Sequence, residues 1–286
     1  MKTTKDKIAV ITGATNGIGE AITKELAKAG YYLNIFARNP EKANRLKEEL
    51  LAINARVEFD FYQVDLSLVK ETKAALTSIK EKYDKIDVLV HSAGLIPNKI
   101  EKTSEGVEHA FAVSYLTRFL ISQELLPLVL KSDTKLIFSV ASPGHDGIIH
   151  FEDIHFDQRK FKPIEVVKQF NKCNDVYTSY LSKKYTTKAL KVYCYDPGLV
   201  NTSIHQGWPF PLGFLMRNIA KPLFMKSPEE AAAVPIKIIK GEFEPDGIFV
   251  NWKGKLIQAP AITEKREYQE RVISLSNKLI ELAYHA

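Results

Sequence analysis

Val166–Lys184, VVKQFNKCNDVYTSYLSKK, contains a tyrosine four residues ahead of a lysine, Tyr180 and Lys184, and no other tyrosine of the chain has a lysine at that spacing. On a helix, residues four apart are neighbours, so an ammonium sits beside a phenol. The cation favours the phenolate, which makes such a pair able to pass a proton. A hydroxyl at the end of KLIFSVASPGH, Ser142, is a second candidate, a polar side chain that closes an apolar run.

A third constellation opens the chain. AVITGATNGIGEAI places Thr12-Gly13-Ala14-Thr15-Asn16-Gly17-Ile18-Gly19 between an apolar run and a helical one. Gly13 permits a tight turn, Gly17 lets backbone approach a pyrophosphate, and Gly19 lets a helix lie close to a strand. The amides that begin the helix add donors and a positive partial charge. The strand-turn-helix context gives the glycine spacing its meaning and predicts a dinucleotide site. After the next strand, NIFARNPEK has Ala37 where an acid would read a ribose 2′-hydroxyl, and Arg38 follows. A guanidinium there matches a 2′-phosphate, so NADP(H) is expected in preference to NAD(H).

The elements that must position these groups alternate. Strands are predicted over 8–12, 32–37, 57–64, 88–91, 136–140, 192–195 and 248–250, and helices over 18–29, 41–53, 69–83, 105–130, 164–187 and 228–240. This pattern predicts an α/β fold, a doubly wound parallel sheet of about seven strands flanked by helices, with ligands at the carboxyl ends of the strands. Residues 1–286 show no repeat, low-complexity tract or linker, so one domain is expected. The longest irregular pieces, Ser142–Pro163 and Asn201–Lys226, both follow strands on the ligand side and are expected to wall a substrate pocket.

Bulk composition narrows the function classes. A net charge of +6 over 286 residues is mild and spread out, which argues against nucleic-acid binding. Two cysteines, Cys173 and Cys194, make no disulfide framework and suit a reducing compartment. The start MKTTKDKIAVITG offers no apolar signal region, and no run approaches the roughly 18 apolar residues of a membrane span. A soluble, cytoplasmic protein is the expectation.

With these residues in hand, the chain resembles the short-chain dehydrogenase/reductase family, in the branch of retinol dehydrogenases and protochlorophyllide reductase-like enzymes. Thr12–Gly19 fits TGxxxGIG, Asp65-Leu66 fits the pair after the third strand, and His91-Ser92-Ala93-Gly94 fits NNAG with both asparagines replaced. TSEGVEHAFAVSYLTRFLI resembles the branch's T-x-D-G-x-E-x-x-F-x-V-N, and Pro197-Gly198 with Thr202 fits the segment that closes over the nicotinamide. The resemblance implies a Rossmann-type fold and an oxidoreductase of a small hydrophobic molecule. It also implies that Asp65 bonds the adenine amino group and that Thr202 lies near the carboxamide.

The family's proton-transfer set is a serine, a tyrosine, a lysine four residues on, and an asparagine that anchors a water. Ser142 falls at the serine position, and Ser114 stands where the asparagine belongs. Tyr180-Lys184 does not fit the dyad. Lys184 precedes Pro197 by only 13 residues, too few to finish a helix spanning a sheet of ~17–20 Å, turn, and return as a strand. Setting the register on Asn174, Thr178 and Leu181 places the tyrosine position at Val167 and the lysine position at Asn171. A shift by one gives Lys168 and Lys172, and a shift by three gives Phe170 and Asn174; neither supplies a tyrosine. Two readings stay open: an oxidoreductase in which water, His145, Lys168 or Lys172 stands in, and a non-redox enzyme (elimination or cyclisation) or nucleotide-binding regulatory protein on the same fold.

HDGIIHFEDIHFD offers His145, His150 and His155 at spacings that match no metal motif. HQGWPFPLGFLMRNIAKPLFM, rich in Trp208, Phe210, Leu212, Phe214, Leu215, Met216, Leu223 and Phe224, reads as an apolar lid. With Arg217 and Lys221 beside it, membrane-surface association is a second reading, and packing on the core or a dimer partner a third. In the last stretch Tyr268, Val272, Leu275, Leu279 and Leu282 recur at helical spacing, as for packing on the core or on a second copy of the chain.

Overall fold

A computed structural model describes residues 5–202 and 225–286. Seven strands, β1 (Ile8–Thr12), β2 (Tyr32–Ala37), β3 (Phe59–Gln63), β4 (Val88–His91), β5 (Leu136–Val140), β6 (Lys191–Asp196) and β7 (Phe249–Asn251), form one sheet in the order β3-β2-β1-β4-β5-β6-β7. Every pairing is parallel, with Ile11 opposite Ile35 on one side and Val90 on the other. The order reverses between β1 and β4, and a dinucleotide site is built at the carboxyl ends of strands that part in this way.

Apolar runs such as IAVIT form interior strands because both of their faces are covered. Along β1, Ile8 and Val10 enter one core, whereas Ala9 and Ile11 enter the other. The first core lies under helices α3 (Val69–Lys82), α5 (Thr117–Val129), α6 (Pro163–Lys184) and α8 (Arg266–His285). The second lies under α1 (Gly17–Lys28), α2 (Pro40–Ile53) and α7 (Pro228–Ile239). The terminal stripe serves the first core through Val272 and Leu279, with Tyr268 and Leu275 partly buried against it, but Leu282 is 58% exposed at its edge.

The helix predicted over 105–130 is not one element. Gly106 turns at φ +80°, and Glu108 accepts the amides of Ala110 and Phe111, so helix begins as a short turn α4 (His109–Phe111). A π-helical segment, Ala112–Leu116, follows and leads into α5. The widened turn frees the Ser114 carbonyl, which accepts Asn174 Nδ2 from α6 at 3.0 Å. Glu105, left outside the helix, caps another: its carboxylate accepts Val69 N and Lys70 N of α3, whose own N-cap Leu68 supplies no side-chain bond. Among the described residues no helix is long and apolar enough to cross a membrane.

Candidate active site

The glycine turn is built by close contacts that leave no room for side chains. Gly13 sits at φ +70°, and a Cβ there would meet Ala93 N at 2.5 Å; at Gly17 (φ +56°) it would meet Thr202 Cγ2 at 2.7 Å. Gly19 faces inward: a Cβ would lie 2.3 Å from the Gly13 carbonyl oxygen, so this glycine serves the approach of α1 to β1 and does not line the cleft. Thr15, Asn16, Gly17 and Ile18 do line it, and Asn16 enters α1 without a side-chain cap bond. The start of α1, with its amides and dipole, is thus at the cleft, as a pyrophosphate requires.

At the adenosine end Ala37, Arg38, Asp65 and Leu66 form the wall. Arg38 is 68% exposed and its Nη1 lies 3.7 Å from Asp65 Oδ2. Burial pushes the Asp65 carboxyl up, but hydrogen bonds from Ser67 and the Arg38 charge outweigh it and hold the group below its usual range. Arg38 is therefore tethered beside an ionised acid while its exposed fork stays available to a further anion.

At the opposite end, beyond Ala93 and Gly94, the cleft is walled by Ser114, Ser142, Val167, Asn171, Pro197, Gly198 and Thr202. Ser142 N donates to Asn171 Oδ1 at 3.3 Å, which ties the end of β5 to α6. Ser114 Oγ accepts Leu95 N at 3.2 Å. The apolar part of the wall comes from Leu95, Ile96, Val113 and Phe170 beside Val167. Tyr180 is outside this cleft, 13 residues beyond Val167 or about 20 Å along the helix. Its hydroxyl accepts Lys184 Nζ at 2.6 Å on the exposed side.

Three of the stand-in groups named from the sequence do not reach the cleft. Gly144 turns at φ +85° and carries His145 outward to an exposed position. Lys168 is exposed on the outer side of α6. Lys172 is buried away from the cleft, its ammonium pushed down by burial and partly restored by Asp175 and Asp146. Asp175 lies below the Ser142 turn, accepts Gly144 N at 3.0 Å through Oδ2, and keeps Oδ1 buried without a partner. Burial pushes its carboxyl up to about 7, against the Gly144 bond and the Lys172 charge. Of the other two histidines of this segment, His155 accepts Glu108 N through Nδ1, and the backbone amide of His150 donates to the Gln169 side chain at Oε1. Trp208, Phe210 and the rest of the predicted lid lie outside the described residues, whereas Thr202 is described and lines the cleft.

Arg118 and Phe170 also line the cleft and were missed from the sequence. A signal existed for Arg118: it is the one charge in FAVSYLTRFLIS, an otherwise apolar run, and a charge in such a run is buried with a reason.

The model of the family described as "short chain dehydrogenase" matches residues 7–151, more than half of the chain. The chain belongs to the short-chain dehydrogenase family. It is 25% identical to human "Retinol dehydrogenase 13" over 281 residues, 96% of this chain and 85% of the relative. It is 26% identical to human "Polyprenol dehydrogenase" over 292 residues, 95% of this chain and 84% of the relative. Among solved structures, a short-chain dehydrogenase from Sphingobium yanoikuyae in complex with NADPH superposes with a TM-score of 0.65 at 17% identity, covering 89% of this chain and 87% of that one. An alcohol dehydrogenase from Thermococcus sibiricus complexed with 5-hydroxy-NADP gives 0.63 at 22% identity, covering 91% and 98%. The curated relatives bear the names of dehydrogenases, which are oxidoreductases. The seven-stranded parallel sheet is the Rossmann-type arrangement that these structures share.

Proposed function

We propose that the protein is an NADP(H)-dependent oxidoreductase of a small hydrophobic molecule, working without the tyrosine-lysine pair of its family. The observation that carries this reading is the shared wall: Val167 and Asn171 face the same cleft as Ser142 and the glycine turn, while Tyr180 and Lys184 pair elsewhere. When bound, NADPH supplies a hydride. The chain's own residues do the rest. The glycine turn and the start of α1 receive the pyrophosphate, Arg38 the 2′-phosphate, and Asp65 the adenine edge. Ser142 offers its hydroxyl to the acceptor oxygen, on a backbone that Asn171 holds in place.

Valine at position 167 has no proton to give, and an uncharged amide at 171 does not lower the pKa of a neighbour. A missing general acid costs ~10²–10⁴ in rate, so proton delivery falls to water and turnover is slow. The apolar wall from Leu95 to Phe170 favours a bulky apolar substrate.

The test is a panel of hydrophobic aldehydes, ketones and activated alkenes with 4-deuterated NADPH. Deuterium in a reduced product supports the reading. NADPH that stabilises the fold but is never consumed supports the second reading, a non-redox enzyme or nucleotide-binding regulator, which the aliphatic Val167 side chain favours.

A further inference from the structure

The floor of the cleft holds a cation with no anion to balance it. Arg118, the second residue of α5 just after the π-helical segment, is 6% exposed and lines the cleft. Its Nη1 donates to the Val140 carbonyl at the end of β5 (2.8 Å), and its Nη2 to the Ala93 carbonyl after β4 (2.5 Å). Its Nε is buried without a partner. Among the described residues no carboxylate acts on the guanidinium, and residues 203–224 contain no Asp or Glu.

Its titratable neighbours do not compensate. Burial, and next the Arg118 charge itself, push the His91 imidazole down to about 3, so it is neutral, with Nε2 on Ser122 Oγ. Cys194 on β6 stays a thiol, raised well above its ordinary value by burial. Burial lowers the guanidinium only to about 10, so it is charged at neutral pH. Interior charges are as a rule paired, since an unpaired one is costly. Two carbonyl dipoles offset part of that cost here, and the net charge of the floor remains +1.

Gly94 keeps this charge at the surface of the cleft: a Cβ there would lie 3.2 Å from Arg118 Nη2 and 3.6 Å from Ser114 Oγ. The location fixes what the charge faces. With the phosphates on the glycine turn and the adenosine on the β1–β2 side, the other half of a dinucleotide falls over the ends of β4 and β5, whose carbonyls hold Arg118. We infer that Arg118 makes the cleft select the redox state of its cofactor, holding the neutral dihydronicotinamide in preference to the cationic oxidised ring. This rests on the NADP(H) reading above. Repulsion between two unit charges in a site of low effective dielectric is large enough for a preference of roughly tenfold.

The test is equilibrium binding of NADPH, NADP+ and 2′,5′-ADP to the full chain, for the wild type, Arg118→Lys and Arg118→Gln. The wild type is expected to bind NADPH at least about tenfold more tightly than NADP+, and the lysine variant to keep most of that ratio. The glutamine variant is expected to bring the ratio within about threefold while 2′,5′-ADP binds as before. Equal wild-type affinities for the two cofactors overturn the inference, and that measurement decides it even if the glutamine variant does not fold. An unchanged ratio in the glutamine variant overturns it too, as does an equal loss of all three ligands, which would mark Arg118 as a backbone support. Failure of the wild type to bind any of the three defeats the NADP(H) reading itself, an outcome distinct from equal affinities.

Discussion

Ser142 donates its backbone amide to Asn171 Oδ1 at 3.3 Å, so the end of β5 and the first turns of α6 are held to each other across the cleft. Val167, one turn earlier on α6, lines the same cleft. A phenol at 167 and an ammonium at 171 would therefore enter the site, the lysine giving up the Asn171 bond to Ser142 N. The double variant Val167→Tyr/Asn171→Lys is expected to raise NADPH-dependent reduction of a hydrophobic aldehyde at least about tenfold, within the ~10²–10⁴ that a placed general acid supplies. Val167→Tyr alone should give less, because no cation lowers its pKa. Steady-state kcat/KM for the three proteins checks this; a double variant no faster than wild type removes Val167 and Asn171 as the cause of slow turnover.

Arg38 is tethered by Asp65 at 3.7 Å and otherwise exposed, so its worth depends on the anion it meets. Charge-assisted bonds contribute about 1.5–3 kcal/mol, which puts the expected loss of NADPH affinity in Arg38→Ala at about ten- to hundredfold. NADH carries no 2′-phosphate and should bind within about threefold of its wild-type affinity. Calorimetric titration of both cofactors decides it. A loss shared equally by NADH would assign Arg38 to the adenine face instead.

Glu105 caps α3 from 36 residues away, its carboxylate accepting Val69 N and Lys70 N from a 7% exposed position. Glu105→Ala removes the acceptor from the buried Val69 amide and the half-buried Lys70 amide and is expected to cost about 2 kcal/mol of stability, read from denaturant unfolding. Glu105→Gln keeps one acceptor oxygen and should lose less.

The strands at the centre of the sheet were legible because a parallel strand covered on both faces is a continuous apolar run. β1, β2, β4 and β5 end where the sequence places them, while β3 begins two residues late, at Phe59. The glycine turn was legible from its strand-turn-helix context, and the cleft positions of Ser142, Val167 and Asn171 from the register of the family resemblance, chain length serving only to exclude Tyr180 and Lys184. What was not legible depends on contacts between distant segments. Nothing local in TSEGVEHAF says that Glu105 leaves its own helix to cap α3, nor that Gly106 delays that helix to His109. The outward turn at Gly144 that removes His145 from the cleft is likewise a backbone conformation that spacing does not encode. Arg118 was visible as a misplaced charge, but its two carbonyl partners come from the ends of β4 and β5.

Asp175 makes stability depend on pH in an unusual direction. The carboxyl is 1% exposed, takes one hydrogen bond from Gly144 N, faces the Lys172 ammonium and the thiols of Cys173 and Cys194, and has a folded pKa of about 7 against an ordinary 3.8. Between those values the folded chain keeps a proton that the unfolded chain has released. Unfolding then gives up a proton, so stability falls as pH rises from about 4 to about 7 and is level above that. At 1.36 kcal/mol per unit, this one group costs up to about 4 kcal/mol by neutral pH. Asp175→Asn cannot titrate, so the stability difference between variant and wild type should shift in favour of the variant across that window. Below about pH 4 both proteins carry a neutral group at 175, and the residual difference there measures packing alone. Urea unfolding of both proteins at intervals from pH 4.5 to 8 tests it. A difference that stays constant with pH means that Asp175 ionises in the fold at an ordinary pKa, with Lys172 and the Gly144 amide together outweighing its burial.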